Sequence, residues 1–413
     1  MDEFVRRPRP SVLDEIKNNK PIRPTHHSFN EPSNIVSEPA KPQGDIKLLP
    51  KPRFNLPKFR KPRNKKEWII SALIALLLIG GIGFGTYWLF LRKDAPIAIQ
   101  LPAEEPEPVP TTVASEITGL QVKPEINDRP VFAIQIENSM EARPQSGLID
   151  ADIVFEAIAE GGITRFNAIY HDSQPKNIGP IRSLRPYYID WFWPFDASIV
   201  HAGGSGGALA DVQSLNLMDI EHGVNADAFR RVTNRYAPHN LYSTSANLLK
   251  VIDRRNYQSD SIKSLLRKES SPAETPTAST INLNISSANF NVKFSYDKKN
   301  NRYMRTQGGA KHVDADSGKQ LWANTVVVPV LSRRTHSNGI HTVYGTTGSG
   351  KVYVFQDGVV TIGTWKKSSR QAQWQFTDAS GKEIALNPGK TWFTIIDSGS
   401  AATYSAPTKS SSN

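Results

Sequence analysis

The sequence predicts an α/β N-terminal ectodomain followed by a β-rich C-terminal domain, preceded by a disordered tail and one transmembrane helix. Three observations lead there. A run of 24 residues without a charge, Trp68 to Leu91, separates a Lys/Arg-rich flank from an acidic, proline-rich one. Residues 118–266 mix period-2 and period-3.6 hydrophobic patterns, as α/β domains do. Residues 281–398 show short alternating segments broken by turn formers, the pattern of a β-rich domain.

Residues 1–67 are rich in Pro, Lys, Asn and Ser, have few large apolar residues and show no sustained period, so they read as a disordered, basic cytoplasmic tail. The apolar run 68–91 would rise about 36 Å as a helix, enough for a hydrocarbon core of about 30 Å. Eight basic residues and no acid lie between Lys51 and Lys66, while Asp94, Glu104, Glu105 and Glu107 follow the run. The positive-inside bias therefore puts the N-terminus in the cytoplasm and the ectodomain outside a single-pass cell-membrane anchor. Trp68, Tyr87 and Trp88 stand where interfacial aromatics belong, and Gly81 with Gly85 forms a small-xxx-small pair that permits a homodimer through the helix. A cleaved signal peptide fits less well, because its apolar region would start near the first residue and be shorter. Residues 92–117 read as an extended Pro/Glu-rich stalk.

The charge is as unevenly distributed as the hydropathy. Residues 1–67 hold 16 Lys and Arg against 8 Asp and Glu, so of the total of 50 and 39 the rest keeps 34 and 31, or +3. The basicity thus belongs to the tail and suits anionic lipid headgroups, and no nucleic-acid partner is expected. Zero cysteines exclude disulfides, thiol nucleophiles, thiolate metal sites and a lipidated cysteine.

Within the first ectodomain region, Pro130 to Glu137 places Phe132, Ile134 and Ile136 on one face of a strand. Asp152–Ala159 and Ile163–His171 read as a hairpin around Gly161-Gly162. Ser183–Phe195 reads as an aromatic helix, Ala197–His201 as a buried strand, Ala208–Leu215 as helical and Thr244–Arg255 as a helix. Residues 267–280 form a Ser/Pro/Thr/Glu-rich linker. Strands then follow from Phe290 to Ile396, with turns at Asp357-Gly358 and Asn387-Pro388-Gly389, and 399–413 reads as a disordered tail.

Chemistry-bearing residues are densest between Glu137 and Arg185. Arg182 and Arg185 open the expected helix and could hold a phosphate or carboxylate together with Arg165, oriented by Asp152, Glu156 and Glu160. The alternative is a set of salt bridges between the same charges. His201-Ala-Gly-Gly-Ser205-Gly-Gly207 follows a strand and precedes a helix, and Gly203 to Gly207 formally matches the G-x-S-x-G nucleophile elbow around Ser205. No acid and His follow in a secure order, so an anion-binding glycine turn is the preferred reading and no catalytic residue is assigned. His239, before Tyr242, reads as a turn cap in preference to a general acid/base or a metal ligand. His336 and His341 match no zinc spacing, so neither metal nor cofactor is expected.

These clusters resemble the YerB-like bacterial lipoprotein family, two-domain extracytoplasmic proteins of unestablished function. The resemblance rests on Ile136 to Leu148, Ala151 to Ala157, Glu160 to Phe166, Ile178 to Ser183, Arg185-Pro186 and His201 to Ser205. In the second region it rests on Tyr353 to Asp357, Gly363 to Lys366, Leu386 to Gly389 and Thr391-Trp392. It implies a two-domain ectodomain at the envelope, with the membrane helix standing where family members have a lipidated cysteine. The order of anchor, stalk, paired arginines and His-x-Gly-Gly turn is also similar to LytR-CpsA-Psr phosphotransferases, which move glycopolymers from polyprenyl pyrophosphate. The expected function is binding of an anionic cell-envelope polymer, lipid-linked precursor or partner, in preference to catalysis, through Asp152, Glu156, Glu160, Arg165, Arg182, Arg185, His201 and Ser205.

Overall fold

The computed structural model of the chain describes residues 64–90 and 111–407. These fall into two compact units, Met1–Glu104 and Glu105–Asn413. Most of the expected tail, stalk and C-terminal tail lies outside the described residues.

In the first unit, helix α1 (Lys65–Phe90) buries none of its residues. At 1.5 Å per residue it is about 39 Å long, and by length and composition it meets the requirement for a membrane span.

The second unit starts before the expected boundary at residue 118. Strands β1 (Val113–Ala114) and β2 (Gln121–Val122) pair antiparallel. The hydroxyls of Ser115 and Thr118 donate to Asp172, and Ile117 is buried, so the end of the presumed stalk is folded. There follow β3 (Phe132–Glu137), β4 (Ile153–Glu160), β5 (Ile163–Tyr170), α2 (Pro186–Phe192), β6 (Ser198–His201), α3 (Gly206–Ser214), β7 (Asp219–Glu221), β8 (Phe229–Arg231), β9 (Leu241–Ser243) and α4 (Ser245–Arg254). The β4–β5 hairpin turns at Gly161 and Gly162, both with positive φ, as the sequence predicts. Thr244 caps α4 by accepting the Asn247 N–H at 3.0 Å. Helix α2 begins only at Pro186, its first residue, with Arg185 still extended at φ −128°. Ser183 and Leu184 are therefore not helical.

The C-terminal half supplies β10 (Thr280–Leu283), β11 (Val292–Asp297), β12 (Arg302–Gln307), β13 (Ala310–Lys311), β14 (Trp322–Ala323), β15 (Thr325–Pro329), β16 (Arg333–Thr335), β17 (Thr342–Tyr344), β18 (Gly348–Gln356), β19 (Val359–Lys367), β20 (Gln375–Asp378), β21 (Thr391–Thr394) and β22 (Ala402–Ser405). The two halves share one ten-stranded sheet of order β20-β19-β18-β15-β21-β4-β5-β3-β6-β7. Its seam is the parallel pair β21–β4, in which Thr391 faces Ile153 and Trp392 faces Val154. One face of this sheet packs against α4 and a second sheet, β13-β12-β11-β10-β22 with β14 on β12. The other is covered by α2 and α3. Both faces being buried, β3 has no exposed residue.

Two boundaries change accordingly. Residues 267–280 are bound to the body and do not behave as a free linker: the Arg267 guanidinium donates to Asn387 O and Thr391 Oγ1 at 2.9 Å, and Lys268 pairs with Asp357 at 2.6 Å. The start of the expected disordered tail at 399 is also folded, since β22 completes the second sheet by pairing with β10.

Gly363 shows what one motif residue does here. It faces Asp378 across β19–β20, where a Cβ would collide with the carbonyl of Thr377. Gly363→Ala is expected to destabilise the unit by about 1–3 kcal/mol, read as a lower denaturation midpoint; an unchanged midpoint would contradict this packing.

Candidate functional site

Strands β3, β6 and β7 run parallel, with His201 beside Glu221 at the ends of β6 and β7. Ligands in open α/β sheets bind outside such carboxyl ends. After β6 the chain turns at Gly203, φ +67°, and enters α3 with Ser205 as its N-cap. This turn is zipped to the extended segment before α2. Leu184 N–H donates to Gly203 O at 2.9 Å, Ser205 N–H to Leu184 O at 3.2 Å and Ser183 Oγ to Ala202 O at 3.0 Å. That pairing holds residues 182–185 out of the helix.

A cleft of about 330 Å³ opens beside the N-terminus of α3. Ser205, Gly206 and Gly207 form one wall, Arg185, Pro186, Tyr187 and Asp190 another, and His336, Asn338, His341 and Tyr344 of the β16–β17 hairpin the third. An added Cβ at Gly206 meets nothing within 4 Å. Among the described residues, the N–H groups of Gly206 and Gly207 have no hydrogen-bond partner. Behind the cleft Glu160 bridges two buried arginines. Arg165 Nη2 reaches Oε1 at 2.6 Å, and Arg185 Nε reaches Oε2 at 3.0 Å. Burial pushes the Glu160 carboxyl up, but the two guanidiniums outweigh it and hold the group below its usual range. Burial and the Arg185 charge both lower the His341 imidazole pKa. Asp190 is matched by Thr346 at 2.5 Å and Arg370 at 2.6 Å.

The remaining sequence-selected residues lie apart from this cleft. Arg182 turns to Glu137, 3.3 Å away, whose Oε1 also takes His239 Nδ1 at 3.0 Å. His201 is fully buried, its Nδ1 on Gly203 O at 2.7 Å and its Nε2 on Asp219 at 2.9 Å, so both ring nitrogens brace the turn. Ser205, on the cleft wall, accepts from Ala208 N through Oγ and makes no hydrogen bond to an imidazole among the described residues, so the strand-turn-helix context of an elbow is present without a base bound to the hydroxyl. Asp152 is buried and accepts the His171 and Asp172 N–H groups at 2.7 and 2.9 Å. Glu156 faces the second sheet, where Arg305 Nη2 contacts both its oxygens at 2.8 Å. Asp152 and Glu156 therefore do not orient Arg165, Arg182 or Arg185, whereas Glu160 does orient two of them. Among the described residues no three His, Asp or Glu side chains come together as a metal would require. No local pattern signals that Tyr187, Tyr344 and the two hairpin histidines line one cleft with Ser205, since they lie more than a hundred residues from it or on a different element.

Family models match both halves of the chain: "Protein of unknown function (DUF3048) N-terminal domain" over residues 117–258 and its C-terminal domain over 281–393. YerB of Bacillus subtilis (strain 168), named as a lipoprotein, is 30% identical over 311 residues, covering 73% of this chain and 92% of its own. The chain belongs to the YerB-like DUF3048 family. A crystal structure of B. subtilis YerB superposes with a TM-score of 0.65 at 29% identity, covering 71% of this chain and 99% of that one. In this DUF3048 chain the N- and C-terminal family regions are not separate bodies. They share the ten-stranded sheet and the Glu156–Arg305 pair.

Proposed function

We propose that this DUF3048 protein is a membrane-anchored, extracytoplasmic binding protein of the bacterial envelope, and that the cleft beside α3 takes an anionic group of an envelope glycopolymer or lipid-linked precursor. Helix α1 supports the anchor, and the lipoprotein name of the B. subtilis relative supports the compartment. The observation that carries the ligand reading is the pair of first-turn N–H groups at Gly206 and Gly207, without a partner among the described residues, at the N-terminus of a nine-residue helix, in a cleft walled by Tyr187, Tyr344, His336 and His341. Free N–H groups and the helix dipole favour an anion, and aromatic walls suit the apolar face of a sugar.

Gly206→Asp tests this, because the substitution has opposite effects on fold and function. An acid in the first turn stabilises α3 by about 0.3–1 kcal/mol, yet it places a negative charge in the cleft. Full-length protein in detergent, titrated with purified anionic wall glycopolymer, is expected to lose binding in Gly206→Asp while its melting temperature holds or rises. Equal binding by wild type and variant would remove the cleft reading.

A further inference from the structure

We infer that Arg182, Glu137 and His239 form a second site, separate from the cleft, that takes a phosphate monoester. The inference rests on how the arginines of this region use their donors. Arg165 donates to Ser183 O and Glu160, and Arg185 donates to Leu184 O and Glu160. Arg182 differs. Its Nε lies 3.3 Å from Glu137 Oε1 at an angle that makes no hydrogen bond, and among the described residues none of its guanidinium N–H groups has an acceptor. A guanidinium carries five N–H donors in a planar fork suited to two oxygens of one oxyanion. Here that fork is held in place by charge and left open, with the side chain 26% exposed.

Beside it stand acceptors without donors. Glu137 is buried and its Oε2 has no partner. His239 spends Nδ1 on Glu137 Oε1 at 3.0 Å, with Ser139 Oγ at 3.4 Å, and its Nε2 makes no hydrogen bond among the described residues. In the neutral tautomer that donates Nδ1–H to the carboxylate, Nε2 is a lone-pair acceptor. Unpaired donors next to unpaired acceptors call for a ligand that carries both. A phosphate monoester in its singly protonated form does: its bare oxygens match the exposed end of the arginine fork, and its P–OH donates to His239 Nε2. A sulfate or a phosphodiester has no such hydrogen. The turn that carries His239 also exposes Tyr236, 90% accessible, and Met140 follows Ser139 at 50%, giving the organic part of the ester an apolar rim.

The test uses full-length protein in detergent micelles, titrated calorimetrically with inorganic phosphate, phenyl phosphate and sulfate at matched ionic strength. Phosphate and phenyl phosphate are expected to bind at least about tenfold more tightly than sulfate, the penalty for setting a bare oxygen against the His239 Nε2 lone pair. Arg182→Gln should lose phosphate affinity by a similar factor, and His239→Phe should narrow the gap between phosphate and sulfate. Arg254→Gln, which removes an exposed guanidinium paired with Asp227, should change neither. Should Arg182→Gln not fold, phosphate must still protect Arg182 of the wild-type protein from phenylglyoxal, read by peptide mass spectrometry. No phosphate binding, equal affinity for sulfate, unchanged affinity in Arg182→Gln, or an unprotected Arg182 would each overturn the site.

Discussion

Arg305→Met is expected to destabilise the folded unit by about 3–5 kcal/mol, because it strands a carboxylate in a dry interior. Arg305 and Glu156 are both 0% exposed, and the guanidinium lies 4.6 Å from the Trp392 ring and 5.5 Å from that of Phe166. The pair belongs to a closed ring of hydrogen bonds. Thr164 Oγ1 donates to Glu156 at 3.4 Å, Asn138 Nδ2 to Thr164 at 2.6 Å and Gln145 Nε2 to Asn138 Oδ1 at 3.0 Å. His312 Nε2 contacts Gln145 Oε1 at 2.8 Å, and Arg305 closes the ring by donating to His312 Nδ1. Each link of the ring joins a donor to an acceptor only if His312 is neutral with its proton on Nε2; the Arg305 Nε–H, outside the ring, has no partner among the described residues. The electrostatics agree, since burial and then the Arg305 charge push the imidazole pKa well below its usual value. Both family regions contribute members, so the ring fastens the second sheet to the first. Glu156→Leu combined with Arg305→Met should recover part of the loss, because the double variant leaves neither charge unpaired. Denaturant titration followed by tryptophan fluorescence measures both effects. A loss below about 1 kcal/mol for Arg305→Met, the scale of an exposed ion pair, would mean that water reaches the site.

That ring also marks where sequence reasoning stops. Local periodicity is enough to place β3, the β4–β5 hairpin and α4, because each is specified by neighbours a few residues away. The glycines at 161 and 162 and the cap at Thr244 leave little choice. What lies beside β4 is a different matter, since Ile153 pairs with Thr391, more than two hundred residues on. Compositional punctuation at 267–280 marks a domain boundary in the sequence, yet Arg267 and Lys268 in that stretch bind Asn387 and Asp357. The paired arginines teach the same lesson at short range. Three apart on a helix, Arg182 and Arg185 would share a face; in the extended segment that the 202–205 turn imposes, they point to opposite sides. Each accordingly finds its own carboxylate, Glu137 and Glu160. The residue types were readable as anion-binding or salt-bridging, and the tertiary pairing that decides between those uses was not.

Asp152 carries the second large expectation, a stability that falls as pH rises from about 4 to about 7. Burial, and then the neighbouring Asp172 carboxylate, raise the Asp152 pKa to about 7, against the two backbone N–H groups that favour its charged form. A carboxyl whose folded pKa lies above its unfolded value near 3.9 binds its proton more tightly in the folded state. Its contribution is therefore fully present below about pH 4 and is lost as pH climbs through about 7, on the order of 4 kcal/mol for a shift of this size. Asp172 and Glu160 have lowered pKa values and act in the opposite sense at the acid end, so the raw stability curve mixes these terms. The difference between wild type and Asp152→Asn isolates the one in question. Asparagine keeps an oxygen for the His171 and Asp172 N–H groups and cannot ionise, so the variant should match wild type near pH 4 and surpass it increasingly toward pH 7. Lys390, buried and lowered to about 8 chiefly by that burial, supplies the check at the alkaline end. Neutral lysine is favoured in the fold, so stability should recover between about pH 8 and 10 in wild type, and from a lower pH in Asp152→Asn, which lacks the charge that raises the Lys390 pKa. A wild-type-minus-variant difference that stays flat from pH 4 to 7 would show that Asp152 is already ionised in the fold. Its buried charge would then be held by the two N–H groups and by the field of Lys390 and Arg267.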